Sequence, residues 1–458
     1  MGGSLRLHIA GWWLLVAGTA LAQPEPGAPP SQEPEAPRRE YAGPAILSRG
    51  LGAFMNPDRE LLRLRPFASV NGIYDTGLTA ISVNETGQLL SRDAYGAEAD
   101  FGVTGYRAWQ QSLLGLQYHG RLRHYSRYSY YDGFDNFFGL NLVHRPSRRV
   151  TVQISPAVAS YSRGYFVPDV GSAYYSPELT ALTQGELFDS RVNAVIGSGR
   201  LIYQRTTRLS FSLGGNGFST RRHSQLLAGV TGYSAVGDLA YRLSRYQSIG
   251  VDYSFTHYDF QRVFGDTDAH GIGLNYSVQI GRDWTLALRA GGHRVEISRL
   301  QSVPLDPVIA AIVGQGVAVS TTYLQVYQPT FGGRLARRYR RGAVDFEYTR
   351  SISPGNGLYL TSAVERGGLG ASYRGTRRAS FYVHASALQY RSLVQNLGRY
   401  RSLWGDVGMN YTLGRALALS LSVGARQYEV RNTQLDRVSF RASVGLTYSP
   451  GELPFSLW

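Results

Sequence analysis

The sequence lacks both cysteine and lysine. None of its 458 residues is Cys, and all 47 basic residues are Arg. The absence of Cys excludes a disulfide scaffold, a thiol nucleophile, a zinc ribbon and an iron–sulfur site. Charged residues are also scarce, at 17%, whereas the hydrophobic content of 43% is too high for a disordered chain.

Long hydrophobic runs are missing as well. The run from Ile9 to Leu21 is shorter than the roughly 18 apolar residues of a transmembrane helix, and no later stretch approaches that length. This run follows Arg6 and closes on Ala20-Leu21-Ala22, a small-residue cleavage pattern. We therefore predict that residues 1–22 are a cleaved signal peptide of an exported protein; the alternative is an N-terminal membrane anchor.

The next segment is rich in proline. Residues 23–44 carry seven of the 19 prolines, so this stretch is expected to be extended rather than packed. We predict a periplasmic linker over residues 23–63. Within it, residues 45–63 fit a short helix, a small plug or a lead-in to the first strand.

From residue 64 to residue 458 the dominant pattern is alternation with period two. In the stretch from Val438 to Tyr448, for example, apolar residues alternate with small or polar ones. These segments run to about 11 residues or more, longer than the 5–6 of most soluble strands and long enough for tilted membrane strands. The pattern predicts an all-β fold, a single transmembrane antiparallel β-barrel.

The connections alternate between short turns and longer loops. Eight short turns and nine longer loops give 18 strands, with 16 as the next choice. Short periplasmic turns and long outer loops are typical of outer-membrane barrels, and an even strand number places both chain ends in the periplasm.

Strand parity assigns a set of charged residues to the inside of this barrel. A charge that faces lipid at the midplane costs about 2–4 kcal/mol for Arg, so these residues are expected to share a wet lumen. The alternative is that they pair and fill the interior. The predicted pore-lining residues are Arg121, Arg123, Arg289, Arg426, Arg441, Asp252, Asp345 and Glu347.

The predicted loop over residues 298–321 contains an apolar run that is unusual for a surface loop. It includes Asp306, Pro307, Ile309 and Ile312. We expect this segment to fold into the barrel as a gating constriction or to pack on the rim. A short amphipathic helix without a gating role is the alternative.

No catalytic constellation stands out, so an enzyme is not predicted. The densest polar cluster is His257 with Asp259 and the segment Gly265 to His270. It could bind calcium or act in catalysis, but a polar turn is the favoured interpretation. We predict no metal site and no cofactor. Nucleic acid is excluded as a partner, because the arginines form no basic block or motif.

Several segments resemble a family of outer-membrane β-barrel, porin-like proteins whose members often accompany exopolysaccharide-export genes. The resemblance covers nearly all of the chain after about residue 45. It implies a conduit for polysaccharide or small solutes, comparable in architecture to the alginate exporter, and no catalytic residues. The segments that carry it are residues 65–67, 72–75, 264–270, 306–312, 353–357 and 449–458.

Together these observations favour a bacterial outer-membrane channel that passes anionic solutes or exported polysaccharide. The net charge of +15 favours an anionic cargo. A non-conducting, surface-exposed barrel that acts as an adhesin or assembly scaffold is the alternative. The expected partners are outer-membrane lipid and lipopolysaccharide, the barrel assembly machinery and polysaccharide-export components.

Overall fold

A computed structural model describes the chain from residue 62 to residue 455, with gaps. The described residues are 62–76, 93–127, 129–161, 191–225, 227–304, 306, 311–312, 316–376, 378–393, 399–430, 436–451 and 453–455. The predicted signal peptide and all but the last two residues of the predicted linker lie outside this part. Within it, no helix is long and apolar enough to cross a membrane.

Eighteen long antiparallel strands form the wall, and a short strand follows them. Their length comes from the sustained alternation, since each strand can present one apolar and one polar face along its whole course. The strands are β1 (Leu62–Asp75), β2 (Ala94–Ala108), β3 (Ser112–Tyr125), β4 (Gly133–Ser147), β5 (Val150–Tyr161), β6 (Val192–Gln204), β7 (Leu209–Arg222), β8 (Gly229–Arg242), β9 (Gln247–Gln261), β10 (Asp266–Ile280), β11 (Trp284–Pro304), β12 (Val317–Tyr339), β13 (Gly342–Ser353), β14 (Ser362–Arg374), β15 (Ala379–Ser392), β16 (Tyr400–Thr412), β17 (Leu417–Val430), β18 (Asp436–Tyr448) and β19 (Leu453–Phe455). A single 3₁₀ turn, Ser129–Tyr131, lies between β3 and β4.

The sheet closes on itself. Each strand pairs with the next, and β1 pairs with β18 from Ala68 opposite Tyr448 to Asp75 opposite Arg441. The short β19 extends this seam by pairing with the first residues of β1. The prediction of an antiparallel barrel with 18 strands is confirmed.

The turns follow the predicted alternation, with two corrections to loop bounds. The sequence pattern predicts one of the nine longer loops over residues 261–268, but the structure has only a short turn between Gln261 and Asp266 there, because Asp266 already begins β10. The loop predicted over residues 298–321 is mostly strand. There β11 and β12 pair from Trp284 opposite Arg337 to Pro304 opposite Val317, which makes a hairpin that extends beyond its neighbours.

The two faces of the wall differ as alternation requires. Large apolar side chains are exposed on the outer face of every region of the barrel, among them Val70, Leu122, Val195, Leu213, Ile272, Leu288, Phe346, Val407 and Val444. Residues directly opposite in an antiparallel ladder point to the same side, so the pairing carries this face around the whole cylinder. The other face is polar and charged, with apolar clusters near the long-loop end.

Aromatic side chains mark the short-turn rim. Tyr203, Tyr241, Tyr246 and Tyr339 are exposed there, and the Arg337 guanidinium lies 4.9 Å from the centre of the Trp284 ring. Amphipathic rings of this kind suit the membrane interface. At the opposite rim the sequence also predicts aromatic residues at the membrane interface, among them Tyr125 and Tyr131. That prediction is wrong for these two, which are buried in an apolar cluster with Ile73 and Ala94.

Candidate functional site: the lumen and an inward-folded loop

All eight residues predicted to line a pore lie on the inner face. Arg121 and Arg123 alternate with the exposed Leu122, and Arg441 alternates with the exposed Phe440. The same parity applies to the others. Four of them have apolar neighbours in sequence, and Arg426 lies opposite Ser439, which is buried between the exposed Val438 and Phe440. Those others are Arg289, Arg426, Asp252, Asp345 and Glu347.

A buried ionic network joins β1, β2, β3, β4 and β18. Glu98 is at its centre, since it accepts a hydrogen bond of 2.6 Å from Arg123 Nε and also pairs with Arg441. Arg123 Nη2 lies 3.2 Å from Asp135 Oδ2, and Arg441 Nη1 lies 3.6 Å from Asp75 Oδ2. Such mutual pairing compensates the cost of removing these charges from water.

Asp100 organises a second part of this network, one row further along the strands. It accepts hydrogen bonds from Arg121 Nε at 2.6 Å and from Asn71 Nδ2 at 3.0 Å, and His119 Nε2 lies 3.3 Å away. Because the strand register sets each of these neighbours, the network is a direct product of β1–β3 pairing.

Two further ion pairs lie on the wall formed by β6–β11. Asp252 accepts hydrogen bonds from Arg289 and, at 2.7 Å, from Asn275 Nδ2. Gly273 stands between them, where a Cβ would lie 2.8 Å from Asp252 Oδ1, so glycine makes room for the pair. The other pair joins Arg200 to Asp238.

In both of these pairs the positive partner is the more exposed one. The Arg289 side chain is 38% exposed and that of Asp252 is 6% exposed. The Arg200 side chain is 46% exposed and that of Asp238 is 15% exposed. Arg334, also on the inner face, is exposed opposite a half-buried Glu347. A solute in the lumen therefore meets guanidinium groups before it meets carboxylates.

The loop between β13 and β14, residues 354–361, folds into the barrel; we call it the inner loop. All of its residues are buried except Leu358, which is half-buried. Gly355 and Gly357 have φ values of +79° and +88°, in the left-handed region that favours glycine. Asn356 Oδ1 accepts a hydrogen bond of 3.0 Å from the Tyr359 amide, which tightens the turn.

The inner loop is fixed at both ends and at its tip. Its tip reaches the start of β8, where the Ala228 amide donates a 3.0 Å hydrogen bond to the Gly357 carbonyl. Thr361 Oγ1 lies 2.6 Å from Thr267 Oγ1 on β10, and both threonines are fully buried. The Thr361 carbonyl also accepts a hydrogen bond from the Leu393 amide after β15.

Apolar packing completes the attachment of the inner loop. Leu360 joins a buried cluster whose other members come from β4–β9, including Phe137, Ile196 and Phe218. Tyr359 packs with Tyr390 and Tyr400 on the opposite side of the loop. Burial raises the pKa of Tyr359 above its usual value, so its hydroxyl stays neutral.

The segment predicted to form the constriction behaves differently where it is described. Ile312 is 79% exposed, and Asp306 is exposed as well. Pro307 and Ile309 lie outside the described residues. The β11–β12 hairpin pairs as far as Pro304 opposite Val317, beyond the ends of the neighbouring strands, and the inward fold of the gating segment stays a prediction.

The polar cluster around His257 is on the outer face. His257 Nδ1 lies 2.8 Å from Asp268 Oδ1, and together with Asp266 these groups lie within 4.8 Å of one another. The favoured prediction of a polar turn is wrong, since residues 266–270 belong to β10. The register places Asp268 between His257 and Glu296 on the neighbouring strands.

Because the sheet is closed, no backbone group faces lipid unpaired. Its apolar outer face and charged inner face are those of a barrel that spans a membrane. The chain is an outer-membrane β-barrel. Its hydrophobic band faces hydrocarbon, and its short turns and long loops face opposite sides of the bacterial outer membrane.

No protein-family model matches the sequence of this barrel. No curated protein matches it either. Solved structures of similar fold include Pseudomonas aeruginosa OccK2 (OpdF) in complex with glucuronate, at 10% identity and a TM-score of 0.43 over 84% of this chain and 98% of that one. Acinetobacter baumannii OccAB4 is 10% identical, with a TM-score of 0.41 over 86% of this chain and 100% of that one. The ferric citrate transporter FecA in its unliganded form is 11% identical, with a TM-score of 0.42 over 80% of this chain and 60% of that one.

Sequence reasoning missed two features of the lumen. The sequence pattern predicts the inner loop only as one of the nine longer loops, although its two glycines and the apolar Leu358, Tyr359 and Leu360 are an unusual combination for a solvent-exposed loop. The acidic partners Asp75, Glu98 and Asp100 were not selected. The period-two alternation could have identified them, because each occupies an inward position on β1 or β2.

Proposed function

We propose that this barrel is a channel for small anionic solutes. The observation that carries the proposal is the unequal exposure within the inner-face ion pairs, in which Arg200 and Arg289 reach into the lumen while Asp238 and Asp252 stay recessed. Charged side chains that line a pore set the sign of the ions it prefers. A barrel of about 16–18 strands is also large enough to enclose an aqueous passage.

The inner loop favours small solutes over exported polysaccharide. Its buried glycine turn and its attachment to β8, β10 and the Leu360 cluster hold it inside the barrel, where it would narrow the passage. A polymer would have to displace all of these contacts together, whereas a small solute needs only the space beside the loop. Polysaccharide export is therefore the less favoured cargo for this channel.

Ion selectivity in planar bilayers tests the proposal. Under a tenfold KCl gradient the purified protein is expected to show a reversal potential of the sign for anion preference. In the double variant Arg200→Gln, Arg289→Gln the preference is expected to shift toward cations by about 10 mV or more, because Asp238 and Asp252 lose their cationic partners. The matched control is Arg294→Gln, Arg401→Gln, which removes the same charge from the outer face and leaves the potential unchanged.

Cation preference in the unaltered protein, or an equal shift in the control, would contradict an anion channel. The second candidate is a non-conducting surface barrel, which is favoured by the buried inner loop and the paired charges of the Glu98 network. That function predicts no conductance either in the unaltered protein or after the inner loop is removed.

A further inference from the structure

The outer face of β13–β16 changes from apolar to basic toward the long-loop end. In the register, Phe346 lies beside Leu369, and both are exposed apolar residues. Four positions further along β13, Arg350 lies beside Glu365, and the same row continues through Gln389 to Arg401. This row lies beyond the exposed Phe346 and Leu369, toward the long-loop end of β13–β16.

Arginines gather around a concavity at this level. The concavity has a volume of about 180 Å³ and is lined by Arg350, Ala363, Glu365, Gln389, Arg391 and Arg399. Arg391, Arg399 and Arg401 are exposed. We call the four arginines, Arg350 included, the rim arginines.

Acidic residues do not neutralise the rim arginines. Glu365 is 3.5 Å from Arg350, the only rim arginine that has a carboxylate within ion-pair distance among the described residues. Glu429 faces Arg401 in the register without forming such a pair. A guanidinium that faces solvent without an acidic partner is suited to a phosphate oxygen, which it binds through two parallel hydrogen bonds.

The opposite charge on another part of the same rim makes this surface specific. At the long-loop end of β9–β11 the outer face carries four acidic residues, Asp259, Asp266, Asp268 and Glu296, with His257 and with Arg294, which pairs with Glu296. If these charged residues served only to solvate the rim, acidic and basic side chains would be mixed along it and not concentrated on different groups of strands. The basic side is therefore a local feature of β13–β16.

We propose that the rim arginines form a binding site for the phosphate groups of lipopolysaccharide. The outer leaflet of the outer membrane consists largely of this phosphorylated glycolipid, so its phosphates would meet the wall near the long-loop end, where these side chains are. Its acyl chains would extend along the exposed Phe346, Leu369 and Val407 below. The concavity then receives one phosphate between Arg391 and Arg399, next to the polar Gln389.

Binding of lipid A to the detergent-solubilised protein tests this site. The variant Arg391→Gln, Arg399→Gln, Arg401→Gln is expected to bind bisphosphorylated lipid A about tenfold more weakly than the unaltered protein, or weaker still. The matched control, Arg148→Gln, Arg149→Gln, Arg378→Gln, removes the same charge from exposed positions at the short-turn rim and is expected to keep full affinity. A heat-dependent gel shift confirms that each variant is folded.

Two competitors identify the chemistry that is recognised. Dephosphorylated lipid A is expected to bind the unaltered protein about tenfold more weakly, and inorganic phosphate at millimolar concentration is expected not to displace lipid A. Unchanged affinity in the triple variant, equal loss in the control, or equal affinity for dephosphorylated lipid A would each overturn the proposal. Complete displacement by inorganic phosphate would also overturn it, since the surface would then be a site for free anions. None of these outcomes depends on whether the barrel conducts.

Discussion

The two sides of the lumen are stabilised in different ways. On β1–β4 and β18 the inner wall is held by ion pairs between neighbouring strands, centred on Glu98 and Asp100. On β4–β9 and β14–β16 it is covered by the inner loop, which packs apolar and aromatic side chains against the wall. On the first side, strand pairing fixes the positions of the charged side chains. On the second side, a separate segment, the inner loop, is attached to the wall.

This difference gives the two sides different roles: the charged side makes the barrel rigid, and the inner loop controls the passage of solutes. The charged side cannot rearrange without unpairing strands, because each partner is fixed by register. The inner loop is joined to the wall by a few hydrogen bonds and two apolar clusters, and no strand pairing depends on it, so we expect the 18 strands to remain paired when it is removed. We therefore expect changes to the charged side to affect stability and changes to the loop to affect conductance.

The largest expected effect comes from removing the inner loop. Replacement of residues 354–361 by a four-residue Gly-Ser turn should raise single-channel conductance at least about twofold, because the segment that would narrow the passage is lost. Planar-bilayer recording measures this change. As a control, the same replacement of the tip of the β11–β12 hairpin, residues 305–312, should leave conductance near its original value. If conductance were equal with and without the inner loop, the loop would not control passage, and the proposed difference in role between the two sides would be wrong.

The second effect concerns Glu98. The substitution Glu98→Gln leaves Arg123 and Arg441 in the interior without this carboxylate, and breaking a buried ion pair costs about 3–5 kcal/mol. Guanidinium-induced unfolding in lipid vesicles measures the loss.

The matched control for that substitution is Glu296→Gln. Its pair with Arg294 is about half-exposed, so it should cost less than about 1 kcal/mol. If Glu98→Gln changed conductance strongly while leaving stability intact, the assignment of the charged side to rigidity would be wrong.

The smallest expected effect is that of Thr361→Val. This change removes the buried hydroxyl contact with Thr267 and keeps the side-chain volume, at a cost of about 1–2 kcal/mol to loop attachment. The expected result is brief additional conductance steps in single-channel records, with global unfolding nearly unchanged. Thr322→Val, on the extended part of β12, provides the comparison and should give records like those of the unaltered protein.

Much of the wall could be predicted from the sequence because strand alternation is a local property. The inward positions of Arg121, Arg289 and Arg441 follow from parity alone, and the number of strands follows from counting turns. The partners of these arginines depend on register across strands, which parity does not give. Asp252 was selected from the sequence, but its pairing with Arg289 required the β9–β10–β11 ladder.

The loops show why the remainder could not be predicted. The apolar run near Ile312 predicts a constriction, yet Ile312 itself is exposed. The Gly-Asn-Gly segment at residues 355–357, which has no apolar side chain, is buried inside the barrel instead. The apolar composition of a loop indicates that its side chains will be buried, but it does not indicate which part of the barrel will bury them. For the inner loop the burial site is made by Phe137, Ile196 and Phe218, more than a hundred residues earlier in the chain.

The order of residues along the chain is enough to predict a closed antiparallel barrel, its strand number and the face on which each charge lies, because these follow from a two-residue period repeated along long strands. The tertiary structure alone decided which charges pair, which loop enters the lumen and where basic side chains gather on the outer rim. These features depend on contacts between strands that are distant in sequence, and such contacts exist only after the sheet has curved and closed.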